Sequence, residues 1–328
     1  MRGLNSMIVL GSVGLGGLFF TQNYNVDLKR VAEAVTPRSE KVSSFAGWTS
    51  SGPAVRRTGE SIRVASFSIQ MFGELKLQKP QVMDVLARTV RKFDIVAVQG
   101  IRANTQDVLP EFVNLINAQG AAYDFVVGPR IGNSTIQQQY AYIFDRASVE
   151  IDRTQLYSVE DPDNLVHFEP LVAWFRVRGP SPQEAFTFSL VNVQIAPEAA
   201  TQELNALAQV FRAVRNDGRG EDDVVMLGNF NADEKHLGPL SKVPGMTAVV
   251  ARMPTNTDGN AQLDNILFDQ SATREFAGRG GVFDFLREYN MSIQEALEVS
   301  DHLPIWAEFS IYEGGVPGRV ADRATAPR

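Results

Sequence analysis

The sequence predicts an α+β sandwich, in which two β-sheets pack face to face and helices cover their outer surfaces. Two observations carry this prediction: short β-rich runs recur along the chain, and few helical segments separate them. Several runs are almost continuously apolar, as is typical of strands covered on both faces. An all-parallel doubly wound sheet needs a helix after almost every strand, which this chain lacks. In chain order the strand runs are IRVASFSI, FDIVAVQGI, YDFVVG, YAYIF, LVAWFRV, FTFSLVNVQI, DVVMLGNF, LDNILF and IWAEFSIY.

Two segments have the apolar spacing of a helix with one buried face. Their apolar residues recur every three or four positions, which places them on one side of a helix. These residues are Val82, Val85, Leu86, Val90 and Phe93 in the first segment, and Leu204, Leu207, Phe211 and Val214 in the second. Both helices are expected to pack on the outer face of a sheet.

The amino-terminal residues 1–22 predict a signal peptide or a short membrane anchor. Arg2 precedes an uncharged and mostly apolar run from Met7 to Phe20. This run is shorter than the about 20 residues that a membrane span needs, and it fits a signal-peptide core of about 7 to 15 residues. No clear A-x-A cleavage site follows, so an uncleaved anchor remains the alternative. Either way, the chain is predicted to be exported or membrane-anchored, on the periplasmic or extracellular side.

The rest of the chain divides into three parts. Residues 23–60 are polar and contain a Ser-Gly-Pro turn signal, so they predict a linker. Residues 61–312 hold all the strand runs without an internal repeat, and they predict one domain. Residues 313–328 are rich in Gly, Pro and charge, and they predict a disordered tail.

Composition excludes some functions. The chain has 44% apolar and 21% charged residues, which suits a globular protein with a large core. Its net charge of −7 provides no overall positive field to attract nucleic acid, although a local cationic groove remains possible. The absence of cysteine excludes disulfides, thiolate metal sites and cysteine nucleophiles.

Polar side chains end many of the predicted strands. A single polar strand end is ordinary, because turns and caps use the same residues. A series of them in chain order instead indicates a site at one edge of the sheets. The candidates are Ser68, Gln70, Gln99, Gln137, Gln138, Gln139, Gln194, Asn229, Asn231, Asp264, Asp301 and His302.

The same segments carry a resemblance to a known family. ASFSIQMFGELK, DIVAVQGI, YAYIF, EPLVAWF, NVQIAP, GNFNAD, LDNILF and SDHLP together resemble the deoxyribonuclease I-like branch of the endonuclease/exonuclease/phosphatase superfamily. The resemblance covers nearly all of residues 61–310, and G-x-F-N-A and S-D-H-x-P are its most specific parts. It implies a four-layer α/β sandwich with two mostly antiparallel sheets. It also implies hydrolysis of phosphodiesters or phosphomonoesters with Mg²⁺, or with Mn²⁺ or Ca²⁺, so the implied ligand is nucleic acid or another phosphoester.

In-line attack of water on phosphorus explains the residues that this family uses. A hard cation on the phosphate oxygens needs carboxylate and amide ligands. The attacking water needs a base or an orienting group, and the leaving oxygen needs an acid or an electrostatic stabiliser. The resemblance implies a metal site of Asn, Glu and Asp, two facing His–carboxylate pairs, and a D-x-N segment that aligns water and phosphate.

The chain departs from the family at the metal ligands. Ser68 stands at the position of the family's Asn, and Gly100 stands at the position of its Glu. Asp301 is retained. Mg²⁺ gives up its water reluctantly and usually depends on one or two carboxylates, so metal affinity is predicted to be weak.

The chain also departs from the family at the catalytic and substrate-binding positions. Gln138 and Gln194 replace the Glu and His of the first pair, and Asn229 replaces the Asp of D-x-N. Phe168 replaces an Arg that contacts phosphate in deoxyribonuclease-type members. Two amides have no titratable proton near neutral pH, so the first pair has lost its acid–base chemistry.

The retained residues are Asn231, Asp264 and His302, of which Asn231 also has the substrate-binding role. We therefore predict a family fold that is catalytically inactive or severely impaired. The alternatives are an active metal-dependent nuclease or phosphatase with unconventional residues, with His167 or His236 as a substitute, or an exported interaction module with a vestigial cleft. No protein partner is inferable. Restoring the five family residues is expected to recover metal-dependent hydrolysis.

Overall fold

The computed structural model describes residues 59–132 and 136–317. The predicted signal peptide or anchor and nearly all of the predicted linker lie outside the described residues, as do residues 318–328 of the predicted tail. Within the described ranges, no helix has the length and apolar character needed to span a membrane.

The first sheet contains seven strands in the order β12-β13-β1-β2-β5-β3, with β4 paired to β5. Only β1 and β2 run parallel in it. Its strands are β1 (Ser61–Phe72), β2 (Ile95–Ile101), β3 (Tyr123–Val127), β4 (Ile131–Gly132), β5 (Gln137–Asp145), β12 (Phe276–Val282) and β13 (Ile305–Ser310).

The second sheet contains six strands in the order β10-β11-β9-β8-β7-β6. Its β8–β9 pair is parallel and its other pairs are antiparallel. Its strands are β6 (Val149–Ser158), β7 (Leu171–Val177), β8 (Thr187–Gln194), β9 (Val224–Asn229), β10 (Met246–Ala248) and β11 (Asp264–Asp269).

The predicted four-layer sandwich is confirmed by the packing of the core. One buried apolar cluster lies between the two sheets and includes the stacked rings of Phe186 and Phe188. A second cluster joins the first sheet to its outer helices, and a third joins the second sheet to a single long helix. Each sheet thus buries both faces, which explains the nearly continuous apolar runs of the sequence.

Six α-helices occur among the described residues. They are α1 (Glu74–Leu77), α2 (Pro80–Val90), α3 (Val108–Asn117), α4 (Ala200–Arg215), α5 (Phe285–Glu288) and α6 (Ile293–Val299), and short 3₁₀ turns form at Pro197–Ala199, Gly238–Lys242 and Glu313–Gly315. The two helices expected from apolar spacing are α2 and α4. The sequence predicts a tail from residue 313, but Glu313–Gly315 form a turn in which the Glu313 amide donates to the Glu184 carbonyl at 2.8 Å.

Candidate active-site cleft

The candidate residues meet at one edge of the two sheets. In the second sheet, Gln194 at the end of β8 is in register with Asn229 at the end of β9, and Asn229 is in register with Asp264 at the start of β11. In the first sheet, Ser68 of β1 is in register with Gln99 of β2. Strand ends that neighbour each other in both sheets gather the polar strand ends of the sequence at this edge of the sandwich, which we call the cleft.

Two side-chain pairs bridge the sheets across this cleft. Gln138 of β5 donates its amide to the Gln194 carbonyl oxygen of β8 at 3.0 Å. His302, just before β13, places Nδ1 2.7 Å from the Asp264 carboxylate of β11. Each pair joins one residue of the first sheet to one of the second, so the packing of the sandwich itself brings the partners together.

The Asp264–His302 pair is buried and oriented by its neighbours. The Thr255 hydroxyl donates to the Asp264 carboxylate at 2.7 Å, and the Ser300 hydroxyl accepts from the His302 backbone amide at 3.3 Å. Burial alone lowers the pKa of His302, but the Asp264 carboxylate and, less strongly, Asp301 outweigh it, so the pKa is raised above 6.5. The pair is therefore a cationic imidazolium held by a carboxylate over a wider pH range than a free histidine.

The opposing amide pair has no such chemistry. Gln138 is fully buried, and its carbonyl oxygen has no hydrogen-bond partner among the described atoms. Side-chain amides donate and accept hydrogen bonds but do not exchange a proton near neutral pH. Gln138 and Gln194 thus keep the shape of a bridging pair without an acid or a base.

Asn229 and Asn231 are bonded to the surrounding backbone. The Asn229 side-chain oxygen accepts the Asn231 backbone amide at 2.9 Å, and the Asn231 side-chain amide donates to the Ile195 carbonyl at 2.5 Å. Asn231 adopts a positive φ of 47°, which asparagine tolerates better than most residues. These contacts fix the loop after β9, and Asn229 supplies no negative charge to orient water or a cation.

The retained metal-ligand position is bonded to an amide. Asp301 accepts a hydrogen bond from the Gln70 side-chain amide at 2.9 Å. The Ser300 hydroxyl donates to the Ser68 carbonyl at 2.7 Å, which ties this loop to the end of β1. Ser68 therefore contributes its backbone to the local structure, and its hydroxyl replaces an amide that is a better cation ligand.

Gly100 has a backbone conformation that a residue with a side chain adopts only with strain. Its φ is +78°, and a Cβ added there would lie 2.4 Å from the Ile69 carbonyl oxygen of β1. Both pairings of β2 shift register here, between Ser68 and Phe72 on one side and between Val98 and Ile101 on the other. Glycine thus allows β1 and β2 to approach at the point where the family needs a carboxylate, and a Glu at 100 requires the strands to move apart.

The donor set of the cleft does not fit a divalent cation. Among the described residues, the groups of three carboxylates close enough to share an ion are Glu221–Asp222–Asp223 and Asp223–Glu275–Glu313, and neither includes Asp301. Gly100 offers no side chain, and the Asp301 carboxylate already accepts an amide. A metal here would have one carboxylate, and that carboxylate accepts the Gln70 side-chain amide.

Phe168 and His167 lie beside the cleft in different environments. Phe168 packs into the apolar cluster between the sheets, so the position of the family's Arg now presents a core side chain. His167 is partly exposed, and its Nδ1 lies 2.7 Å from the buried Glu203 carboxylate. This second His–carboxylate pair lies within one sheet layer and its helix, and it does not bridge the sheets as Asp264 and His302 do.

Three further residues shape the cleft, although the sequence predicts no role for them. Thr255 and Ser300 make the contacts described above, and Lys76 donates to the Val299 carbonyl at 2.6 Å. Burial lowers the pKa of Lys76 to about 8, against the opposing charge of Asp301. Ser300 and Lys76 lie within the motifs SDHLP and GELK and carried a signal, whereas Thr255 lies in a loop with no recognisable pattern.

The layers, the strand-end cleft and the bridging pairs define a phosphoesterase fold of the deoxyribonuclease I type. The chain belongs to the Endonuclease/Exonuclease/phosphatase family, whose model matches residues 65–302. Members of this family generally depend on a divalent metal.

Named relatives agree with this assignment. Deoxyribonuclease gamma of Rattus norvegicus is 27% identical over 262 residues, which cover 75% of this chain and 83% of the relative. Deoxyribonuclease-1-like 1 of Homo sapiens is 27% identical over 265 residues, which cover 77% of this chain and 85% of the relative. A solved endonuclease/exonuclease/phosphatase structure from Bacteroides vulgatus matches with a TM-score of 0.53 at 16% identity, covering 76% of this chain and 99% of that one, and it supports the fold alone.

Proposed function

We propose that this chain keeps the phosphoesterase fold and cleft but is catalytically inactive or severely impaired. The observation that carries the proposal is the Gln138–Gln194 amide pair, hydrogen-bonded at 3.0 Å where the family has a Glu–His pair. Hydrolysis requires a proton to move to or from a reacting oxygen, and this side of the cleft has no group that moves one.

The metal-binding positions of the cleft support the same proposal. The family's chemistry relies on Mg²⁺ or a similar ion to polarise the phosphate. In this cleft the Asp301 carboxylate accepts from Gln70, and Gly100 brings two strands too close for a ligand. Binding of Mg²⁺, Mn²⁺ or Ca²⁺ in the cleft is therefore proposed to be weak, and we derive no catalytic step from it.

The expected loss of catalytic rate follows from general acid–base catalysis. Removal of one such group typically lowers the rate about 10²- to 10⁴-fold. Rate losses within one cooperating unit do not multiply, so the fold-losses expected from Gln138, Gln194 and Asn229 should not be multiplied together. A single term combined with poor metal binding already leaves little turnover.

The proposed ligand is a phosphate ester, bound without hydrolysis. Two relatives are named as deoxyribonucleases, which favours nucleic acid as the ligand class. The net charge of −7 and the core position of Phe168 both weaken phosphate binding relative to such enzymes. The amino-terminal residues favour action outside the cytoplasm, as an exported or membrane-tethered protein.

A second candidate is an active enzyme with an unconventional acid–base pair. The contact between His167 and the buried Glu203 favours it, because imidazole and carboxyl groups can transfer a proton whereas side-chain amides cannot. Burial raises the pKa of Tyr140 well above 10, and the Glu203 carboxylate and the Gln138 side chain both act on its hydroxyl. The His167 pair is thus near the amide pair, although it does not bridge the sheets.

The test is hydrolysis by the full chain with Mg²⁺ or Mn²⁺, using plasmid DNA and a phosphomonoester. We expect no turnover above that of the His302→Ala variant. Turnover that His302→Ala abolishes would refute the proposal, and turnover abolished by His167→Ala but not by His236→Ala would establish the second candidate. His236 is the matched control because it also contacts a carboxylate, Asp233 at 2.6 Å, but on the surface.

Ligand binding is measured separately with a catalytically inert oligonucleotide that carries a non-hydrolysable phosphorothioate backbone. We expect weak binding that falls steeply with salt, since phosphate contacts release counterions. A stable fold with no binding to this probe would instead favour an interaction module with a vestigial cleft.

A further inference from the structure

A second group of acidic side chains lies at the other end of the sandwich from the cleft. Asp223 immediately precedes β9, and Asn229 at the far end of β9 belongs to the cleft. Six residues of extended strand separate them by about 20 Å. Glu275 immediately precedes β12, and Glu313 begins the last 3₁₀ turn. The topology therefore brings together three segments that are distant in sequence.

The carboxylates are close and buried. A carboxylate oxygen from each of Asp223, Glu275 and Glu313 lies within 4.8 Å of the other two. Asp223 and Glu275 are each only 2% exposed. Within residues 59–132 and 136–317, no lysine or arginine forms an ion pair with any of the three. Three carboxyl groups thus lie together without a basic side chain from the described residues.

Unpaired oxygens at the same place provide a second, independent observation. Thr273 is fully buried, and its hydroxyl makes no hydrogen bond of ordinary geometry among the described atoms, although it lies close enough to the Asp223 carboxyl to lower the pKa of that group. One oxygen of Asp223 and one of Glu275 are also buried and unpaired. Buried polar atoms are nearly always hydrogen-bonded, so a neutral hydroxyl and two carboxylate oxygens left open together indicate a missing partner.

The electrostatics agree with this geometry. Burial, and then the neighbouring carboxylate of Glu275, raise the pKa of Asp223 well above its ordinary value, and the Thr273 hydroxyl lowers it. Burial and Glu275 likewise raise the pKa of Glu313 to about 7. The hydroxyl therefore lies close to the Asp223 carboxyl, and the group repels itself unless a positive charge lies among its oxygens.

We propose that Asp223, Glu275, Glu313 and the Thr273 hydroxyl bind a calcium ion. All the donors are hard oxygens, which exclude soft metals and suit Ca²⁺ or Mg²⁺. Mg²⁺ keeps several of its waters, which a site of nearly buried carboxylates does not provide. The burial therefore favours calcium.

Such an ion has a structural role. The Glu275 carbonyl accepts the Ser310 amide at 2.7 Å, the Glu275 carboxylate accepts the Gly314 amide, and the Glu313 carboxylate accepts the Thr187 amide at 3.4 Å. Calcium would join the start of β9, the β11–β12 connection and the carboxyl-terminal turn. It would fasten the end of the domain to both sheets. This role does not depend on whether the cleft is active.

The test is thermal unfolding of the EDTA-treated full chain in increasing calcium. We expect about 10 mM Ca²⁺ to raise the Tm by about 3 to 5 °C, for a site of extracellular affinity with Kd of about 0.1 to 1 mM. Tb³⁺ provides a local readout, because the Trp174 indole donates to Glu221 at 2.8 Å and Glu221 is a neighbour of Asp223. Tryptophan excitation should give terbium emission that calcium displaces.

Variants separate this site from other binding. Glu313→Gln and Asp223→Asn should each abolish the calcium-dependent rise in Tm and the terbium emission, while the metal-free Tm stays level or rises because repulsion is relieved. Glu184→Gln is the matched control, since Glu184 is adjacent but its carboxylate accepts from Ser181. It should keep the full response, as should Asp301→Asn in the cleft.

Two outcomes would overturn the proposal. The first is no change in the Tm of the unmodified chain up to about 10 mM Ca²⁺, which exceeds the weakest Kd expected for such sites. It would mean that the carboxyls are neutralised by protons. The second is a calcium response that survives both Glu313→Gln and Asp223→Asn, which would place the ion elsewhere. A response that Asp301→Asn alone removes would assign the ion to the cleft and would overturn the proposal equally.

Discussion

The close approach of β1 and β2 at Gly100 predicts that Gly100→Ala destabilises the fold beyond the usual cost of replacing a glycine. An L-residue held at a φ of +78° costs about 1 to 2 kcal/mol. The new Cβ would also lie 2.4 Å from the Ile69 carbonyl oxygen, and overpacking of this kind costs about 1 to 3 kcal/mol. The free energy of unfolding should therefore fall by about 3 kcal/mol, or about 6 °C in Tm for a domain of this size.

Gly120→Ala is the matched control for that prediction. Gly120 has a φ of +84°, but a Cβ there meets no atom within 4 Å. It should lose only the backbone term of about 1 kcal/mol, or about 2 °C. Urea unfolding of both variants in EDTA provides the comparison without any metal contribution. Equal losses in the two variants would refute the reasoning, because they would show that Ile69 does not approach residue 100 closely.

Two further predictions concern the pairs that bridge the sheets. Gln138→Glu should lower the free energy of unfolding by about 3 kcal/mol at pH 7. The fully buried carboxyl must either hold a proton above its ordinary pKa or carry a negative charge that has no partner. The loss should vanish below the ordinary Glu pKa of about 4.3, and adding Gln194→His should recover about 1 to 3 kcal/mol, as a double-mutant cycle measures. A loss independent of pH and of Gln194→His would contradict a buried bridging contact. The raised pKa of His302 means that its ion pair stabilises the fold fully below pH 6.5 and is lost as pH rises through the folded pKa. Imidazole NMR in EDTA should show His302 titrating above 6.5 and, in Asp264→Asn, at a lower pH, and an unchanged midpoint in that variant would be inconsistent with the contact.

The sheets could be predicted from the sequence because their strands carry local signals. The apolar runs are continuous where both faces are covered, and the helical spacing of α2 and α4 is regular. Helix α3 could not be predicted from apolar spacing because Pro110 interrupts the spacing. Pro110 lies in the first turn of the helix, where proline is tolerated. Helix α6 carried a readable signal, the capping box of Ser292 and Glu295, which the sequence interpretation did not use.

The cleft was predictable to the level of residues but not to the level of backbone. The polar strand ends identified the positions of Gln138, Gln194, Asp264 and His302, because each lies next to an apolar run. The hydrogen bond from Gln70 to Asp301 depends on how a loop folds against β1, and no local sequence pattern predicts that packing. The acidic group at the opposite end was missed for the same reason, since its members are distant in sequence and each looks like an ordinary surface acid.

The conformation of Gly100 changes what restoring activity would require. The substitutions at positions 68, 138, 194 and 229 exchange one polar side chain for another, and none of these four residues has a positive φ, so family residues there replace like with like. At position 100 the two strands lie close together, and a Glu must first push the Ile69 carbonyl away before its carboxylate can reach a cation. The five-residue restoration expected from the sequence therefore overlooks the backbone conformation at position 100. The loss at Gly100 is built into the pairing of β1 with β2, and it is the step that side-chain replacement alone is least able to reverse.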